Sequence, residues 1–118
     1  MILADTSVWV DHLRNGDERL AQLLSEGRIL CHPFVIAELA CGHLRRRAEI
    51  LSLLVALPSA TQAGHEEALR FVTERELHGQ GLGWIDVHLL ASALLTGCCL
   101  WTRDRTLSAA ARRMRVDA

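Results

Sequence analysis

The chain opens MILADTSVWV, residues 1–10. Apolar residues run from Met1 to Ala4, then stop at a carboxylate, Asp5, followed by two hydroxyls, Thr6 and Ser7. A short apolar run bounded by polar residues reads as a buried strand. Asp, Thr and Ser also cap helices, because their side-chain oxygens accept from the free N–H groups of a first turn. The stretch therefore predicts a strand that passes directly into a helix. If similar units follow, Asp5 stands at the carboxyl edge of a parallel sheet, where α/β proteins place their chemistry.

The pattern does repeat. RILCH (28–32) and CCLWT (98–102) read as further strands, and PSA (58–60) as a short strand or a turn. Between them lie helical segments. VWVDHLR (8–14) is broken by Asn15-Gly16, and DERLAQLLSE (17–26) carries Leu20, Leu23 and Leu24 on one face. FVIAELACGHL (34–44) is entered through Pro33, which suits a first helical turn. RRRAEILSLLVAL (45–57), HEEALRFVTERELH (65–78) and RTLSAAARRM (105–114) follow. In DVHLLASALLTG (86–97), Val87, Leu90, Ala91, Leu94 and Leu95 keep helical spacing, with Asp86 at the start and Gly97 as the stop. Strands alternating with helices predict an α/β fold, a central parallel β-sheet flanked by helices on both faces.

With 118 residues, half of them apolar, the chain is expected to form one domain over 1–118. No apolar run reaches the roughly 20 residues needed to span a bilayer. Asp5 interrupts the layout of a signal peptide, so a cytoplasmic location is expected and no membrane partner. Every basic side chain is Arg. The absence of Lys excludes P-loop and Schiff-base chemistry. The net charge of −1 gives no overall basic field, so contact with a polyanion must rest on local arginines or on a metal. The four cysteines form no zinc-type spacing; Cys31, His32, Cys41 and His43 match no standard finger, and Cys98 and Cys99 are expected on opposite faces of a strand.

Four acids are expected to converge. Asp5 and Asp104 each follow a strand, on the same edge of one sheet; either alone is more often a cap or turn residue than a ligand, and the pair at one edge favours a site. Asp86 begins its helix and points toward the buried side; alone, it would serve equally as an acid favouring the helix dipole. Glu38 shares a helix face with Phe34, Ala37 and Cys41, a face expected to be partly buried. A carboxylate there needs an Arg or a metal as its partner. Gathered carboxylates repel one another and suit a hard divalent cation, Mg²⁺ or Mn²⁺. Ser7, Thr6 and Thr102 stand beside Asp5 and Asp104 as hydroxyls able to orient a water or a phosphate oxygen.

These residues resemble a known family. MILADTSVWVDHLR, FVIAELACG, GLGWIDVHLLASALLTG and LWTRDRTL are similar, in order and across nearly the whole chain, to the motifs of PIN-domain ribonucleases, and more narrowly of VapC toxins of bacterial type II toxin–antitoxin pairs. The resemblance places the family's acids on Asp5, Glu38, Asp86 and Asp104, with Asp5 and Asp86 as direct metal ligands, and its hydroxyls on Ser7 and Thr102. It implies a PIN fold, usually homodimeric, and Mg²⁺- or Mn²⁺-dependent endonucleolytic cleavage of a structured RNA such as a tRNA or rRNA. Water would attack the phosphodiester in line, leaving a 5′-phosphate and a 3′-hydroxyl. It also implies a cognate VapB antitoxin, through which alone the toxin meets DNA.

Arg103 and Arg105 flank Asp104 and are expected to bind phosphate; Arg45–Arg47 and Arg112, Arg113 and Arg115 are weaker candidates. The loop HGQGLG (78–83) could border the substrate groove. Trp9 and Trp101 are expected in a core or a dimer face, with Trp84 open. Two other readings use the same residues: a binding module that grips an antitoxin and DNA with little catalysis, and a metal-dependent phosphatase or DNA nuclease. Asp5 lacks the D-x-D-x-T pattern of a phosphorylated Asp, which weakens the phosphatase case.

Overall fold

Three parallel strands carry the architecture: β1 (Ile2–Ala4), β2 (Ile29–Leu30) and β3 (Cys99–Trp101), in the order β2-β1-β3. The computed structural model describes all of residues 1–118. Ile2 and Leu3 pair with Ile29 and Leu30 on one side, and Ile2 through Ala4 with Cys99 through Trp101 on the other. Leu3 and Ala4 have no exposed surface, as expected of a strand covered on both faces. The chain leaves central β1 for β2 on one side and reaches β3 on the other. The crevice at the carboxyl end of β1 is therefore the switch point of the sheet, where ligands enter α/β folds.

Seven helices surround the sheet: α1 (Thr6–Asn15), α2 (Glu18–Ser25), α3 (Pro33–Cys41), α4 (Arg47–Ala56), α5 (His65–Glu74), α6 (Trp84–Thr96) and α7 (Arg105–Arg113). None is long and apolar enough to cross a membrane. The core joins Leu3, Val8, Trp9, Leu20, Leu89, Leu90, Leu100, Trp101 and Leu107 among others. Trp9 and Trp101 are both buried there, and Arg19 lies over the Trp101 ring at 4.5 Å. Fully burying one such side chain contributes about 1.5–3 kcal/mol, so the sheet centre is the stable part of the molecule.

Several boundaries differ from the expectations. The strand predicted over 98–102 is shorter, and Cys98 precedes it as a buried residue. Pro58–Ala60 forms a single parallel bridge, Ser59 with Cys31, rather than a strand. The α3 helix ends at Cys41, where Gly42 donates back to the Leu39 carbonyl, so 34–44 is not one helix. The α5 helix stops at Glu74, and Glu76 turns the chain with φ +52°. The α6 helix starts at Trp84, two residues before Asp86, which makes Asp86 the third helical residue instead of the first. Glu38 is exposed; the buried side of α3 is Val35 and Leu39, so the expected partly buried face is corrected.

Candidate active site

Asp5 is built into the switch point by backbone pairing. Its N–H donates to the Trp101 carbonyl at 2.9 Å, continuing the β1–β3 ladder by one residue. Its carboxylate then turns to α1, accepting at Oδ1 from the Thr6 N–H at 2.7 Å. Oδ2 accepts from the Ser7 hydroxyl at 2.9 Å and the Thr102 hydroxyl at 2.6 Å. Those hydroxyls are themselves acceptors, Ser7 from the Arg103 N–H at 2.9 Å and Thr102 from the Asp104 N–H at 3.0 Å. Each hydroxyl donates to Asp5 while accepting from the backbone, and the two hydroxyls lie 3.3 Å apart. The backbone after β3 thus orients two donors onto one carboxylate oxygen, and Asp5 is buried within this net.

The other three acids stand around it. Asp86 Oδ2 accepts from the Gly83 N–H at 3.0 Å, and Asp104 Oδ1 from the Leu107 N–H at 2.8 Å. Glu38 Oε1 accepts from the Thr6 hydroxyl at 2.7 Å, which ties α3 to the start of α1. Capping and a site role coexist here. Asp104 caps α7 and Asp86 closes the first turn of α6, yet each keeps a second oxygen without a protein partner. Burial pushes the Asp86 carboxyl above the ordinary carboxylate range. The Gly83 bond pulls it down, and the charges of Asp5, Asp104 and Glu38 push it up again. The four acids therefore share one electrostatic field.

No Arg or His forms an ion pair with any of the four; the pairs present are Arg28 with Glu26 and Arg103 with Asp11 and Asp17. Neither do three His, Cys, Asp or Glu side chains close into a cage able to grip a bare ion. All-oxygen donors, unneutralised charge and free carboxylate oxygens suit a cation that keeps much of its water. That is the habit of Mg²⁺, which takes one or two direct carboxylates. The residues present fit such an ion.

Arg103 and Arg105, equivalent by sequence, differ in the structure. Arg103 reaches Asp11 at 3.1 Å and Asp17 at 2.5 Å. Bonding from the Leu20 N–H, followed by Arg103, holds the Asp17 carboxyl below its usual range. Arg105 has no carboxylate partner. Beside Glu38 opens a groove of about 740 Å³, with Thr6 and Glu38 on one wall, Arg14, Arg45 and Arg46 on the rim and Leu39 among its apolar floor. Arg47 turns back to the Ala40 carbonyl at 3.0 Å. Sequence reading missed Asp11, Asp17 and Arg14, whose only signal was an unassigned charge near the first helix.

Trp84, 36% exposed, packs edge-to-face with His88 at 4.7 Å between ring centroids and at a tilt with His65 at 5.3 Å. Behind them His32, in the core, caps α3 by accepting from the Phe34 N–H at 3.0 Å. Burial, and then the neighbouring His88, lower the His32 pKa to about 4.

A PIN-domain family model matches residues 2–113. The chain is a PIN-domain protein. Over 111 residues, the PIN domain is 50% identical to "Ribonuclease VapC32" of Mycobacterium tuberculosis in two strains, covering 93% of this chain and 90% of that protein. It therefore belongs with the VapC family. Among solved structures, PAE2754 from Pyrobaculum aerophilum superposes with a TM-score of 0.63 over 92% of the PIN domain and 77% of that chain. At 20% identity this likeness bears on the overall fold alone.

Proposed function

We propose that this PIN domain, spanning 1–118, is the toxin of a type II pair, a Mg²⁺- or Mn²⁺-dependent endoribonuclease that cuts a structured RNA and is neutralised by a VapB antitoxin. The observation that carries this reading is the field at Asp86: three further carboxylates act on it, and no cationic side chain is paired with any of the four. Proteins do not gather unpaired carboxylates without a counter-charge, because their repulsion opposes folding. A divalent ion held by Asp5 and Asp86, with Glu38 and Asp104 acting directly or through water, supplies Lewis-acid polarisation of a phosphoryl oxygen and a more acidic water.

The chain's own residues do the positioning. Thr102 and Ser7 fix the Asp5 carboxylate, and Thr6 fixes Glu38. Asp104 stands at the start of α7, next to the unpaired Arg105, which is free to take a phosphate oxygen. The relatives' name, ribonuclease, supports RNA as the substrate. The groove beside Glu38, with apolar floor and arginine rim, suits an antitoxin segment that would obstruct the acids. A homodimer, free in the cytoplasm, completes the reading.

The test is induction of the wild-type protein and of Asp5→Ala, with sequencing of 5′-phosphate RNA ends. Wild type should stop growth and produce one dominant set of ends; Asp5→Ala should do neither while still binding VapB. Equal toxicity would leave only the binding-module reading.

A further inference from the structure

A second groove, shallow and largely open, of about 620 Å³, lies on α7, lined by Gln80, Arg105, Thr106, Ala109 and Arg113. Arg105, Ala109 and Arg113 are four residues apart, so they stack on one helix face. The two arginines are separated by about 12 Å along the axis, at 1.5 Å per residue. Ala109 between them leaves the floor low. Arg105 directly follows Asp104, so the groove begins at the candidate site.

The opposite wall is the 76–83 loop. It is held in shape by positive φ at Glu76, Gly79 and Gly81. A Cβ at Gly81 would meet the Thr106 methyl at 3.6 Å, so the loop sits directly on α7. Gln80 is fixed at both ends of its amide. Nε2 donates to the Glu76 carbonyl at 2.7 Å, and Oε1 accepts from Arg113 at 2.6 Å. Arg113 is thus aimed by a neutral partner, which orients the guanidinium without cancelling its charge. Neither Arg105 nor Arg113 forms an ion pair, in contrast to Arg103, and no carboxylate lines the groove.

We infer that this groove is a track for the RNA backbone beyond the cleaved bond, with Arg105 and Arg113 each holding one flanking phosphate. The inference rests on the ribonuclease reading above and extends it to a path across the surface. Unpaired guanidinium groups fit phosphate oxygens with two parallel hydrogen bonds. A polypeptide would find little to bury, since Ala109 is the one apolar residue of the lining. With a net charge of −1 the chain offers RNA no general attraction, so beyond the acidic cluster arginines placed like these must supply it locally.

The experiment uses Asp5→Asn protein, in which the proposed cleavage is disabled, and an end-labelled single-stranded RNA of mixed sequence, about twelve nucleotides long. Affinity is followed by anisotropy from about 50 to 300 mM salt. Arg112→Ala is the control, because Arg112 is exposed on the same helix but lies outside the groove. Arg105→Ala with Arg113→Ala should weaken binding about tenfold or more at 100 mM salt. The slope of log affinity against log salt should fall by about 1.4, at about 0.7 per phosphate contact on a single strand. Arg112→Ala should stay within about twofold. A double variant that behaves like Arg112→Ala overturns the track. So does a polyglutamate peptide whose binding needs the two arginines when RNA binding does not, since the groove is then a protein-docking site. Cleavage of cellular RNA on induction of protein with an intact Asp5, read as 5′-phosphate ends, separates the two claims. Cutting without dependence on the arginines removes the track alone, and arginine-dependent binding without any cutting removes the nuclease alone.

Discussion

Thr102 donates a 2.6 Å hydrogen bond to Asp5 Oδ2, joining the chain just beyond β3 to the end of β1 across 97 positions. With Ser7 it makes Asp5 a fixed acceptor before any ligand arrives. Loss of a group that orients a metal-holding residue typically costs 10–100-fold in metal affinity. Thr102→Val, which keeps the shape but removes the donor, should raise the Mg²⁺ needed for half-maximal cleavage by about that factor. Saturating Mg²⁺ should recover most of the rate. Superimposable Mg²⁺ titrations of the two proteins would show that the bond does no positioning.

Asp86 is held at the cost of stability. Its folded pKa is raised, first by burial and then by Asp5, Asp104 and Glu38. The folded state therefore binds this proton more tightly than the unfolded chain does. That contribution is full below the unfolded value, and is lost as pH rises through the folded one. At pH 7.5 in EDTA, Asp86→Asn should have a higher urea midpoint than wild type, and the gap should close as pH falls toward 4. Cleavage should drop on the order of 10²–10³-fold, the loss expected when several kcal/mol of charge stabilisation disappear. A variant less stable than wild type at pH 7.5 contradicts the charge crowding.

Metal linkage follows from the same field. An ion that binds only the folded state stabilises it by about 1.4 kcal/mol at ten times its Kd. Mg²⁺ and Mn²⁺ should raise the wild-type melting temperature and leave Asp86→Asn unchanged. EDTA should abolish cleavage, and either ion should restore it. Cleavage that persists in EDTA takes the metal out of the reaction.

The ends of β1 and β3 could be read directly, because an apolar run that stops at Asp5 or at Thr102–Asp104 is a local signal. The rotation of α3 could not. Every residue of Pro33–Cys41 except Glu38 is nonpolar, so the pattern has no polar stripe to fix which side is buried. Glu38 reaches the site through Thr6, 32 positions away, a contact no periodicity encodes. Arg103, expected to bind phosphate beside Asp104, is likewise held by a contact that no periodicity encodes. Its partner Asp17 lies 86 positions back. Long-range ion pairs decide which arginines stay free, and they exist only once the chain has folded.

His32 makes the fold sensitive to acid independently of the acids. Its pKa falls from 6.5 to about 4, because burial and His88 disfavour the charged ring. The unfolded chain then binds the extra proton between those values. Stability is present above pH 6.5 and is lost as pH falls toward 4, by up to about 3 kcal/mol for this one group. His88, depressed first by burial, adds in the same direction. His32→Asn keeps a good cap for α3 and should flatten the fall in urea midpoint between pH 6.5 and 4.5. An unchanged pH slope would place the acid sensitivity elsewhere.

Asp104 allows its two roles to be pulled apart. As cap of α7 it accepts from the Leu107 N–H at 2.8 Å through Oδ1, and its Oδ2 is left free. Ser is as good a cap as Asp, whereas Ala forfeits about 0.5–2 kcal/mol. Asp104→Ser should therefore unfold in urea within about 0.5 kcal/mol of wild type, and Asp104→Ala should be clearly weaker. Both should lose cleavage to a similar extent, because neither brings a carboxylate to the cluster. Activity that tracks stability, with the Ser variant near wild type and the Ala variant impaired, would mean that Asp104 only caps its helix. The acidic site would then consist of Asp5, Glu38 and Asp86.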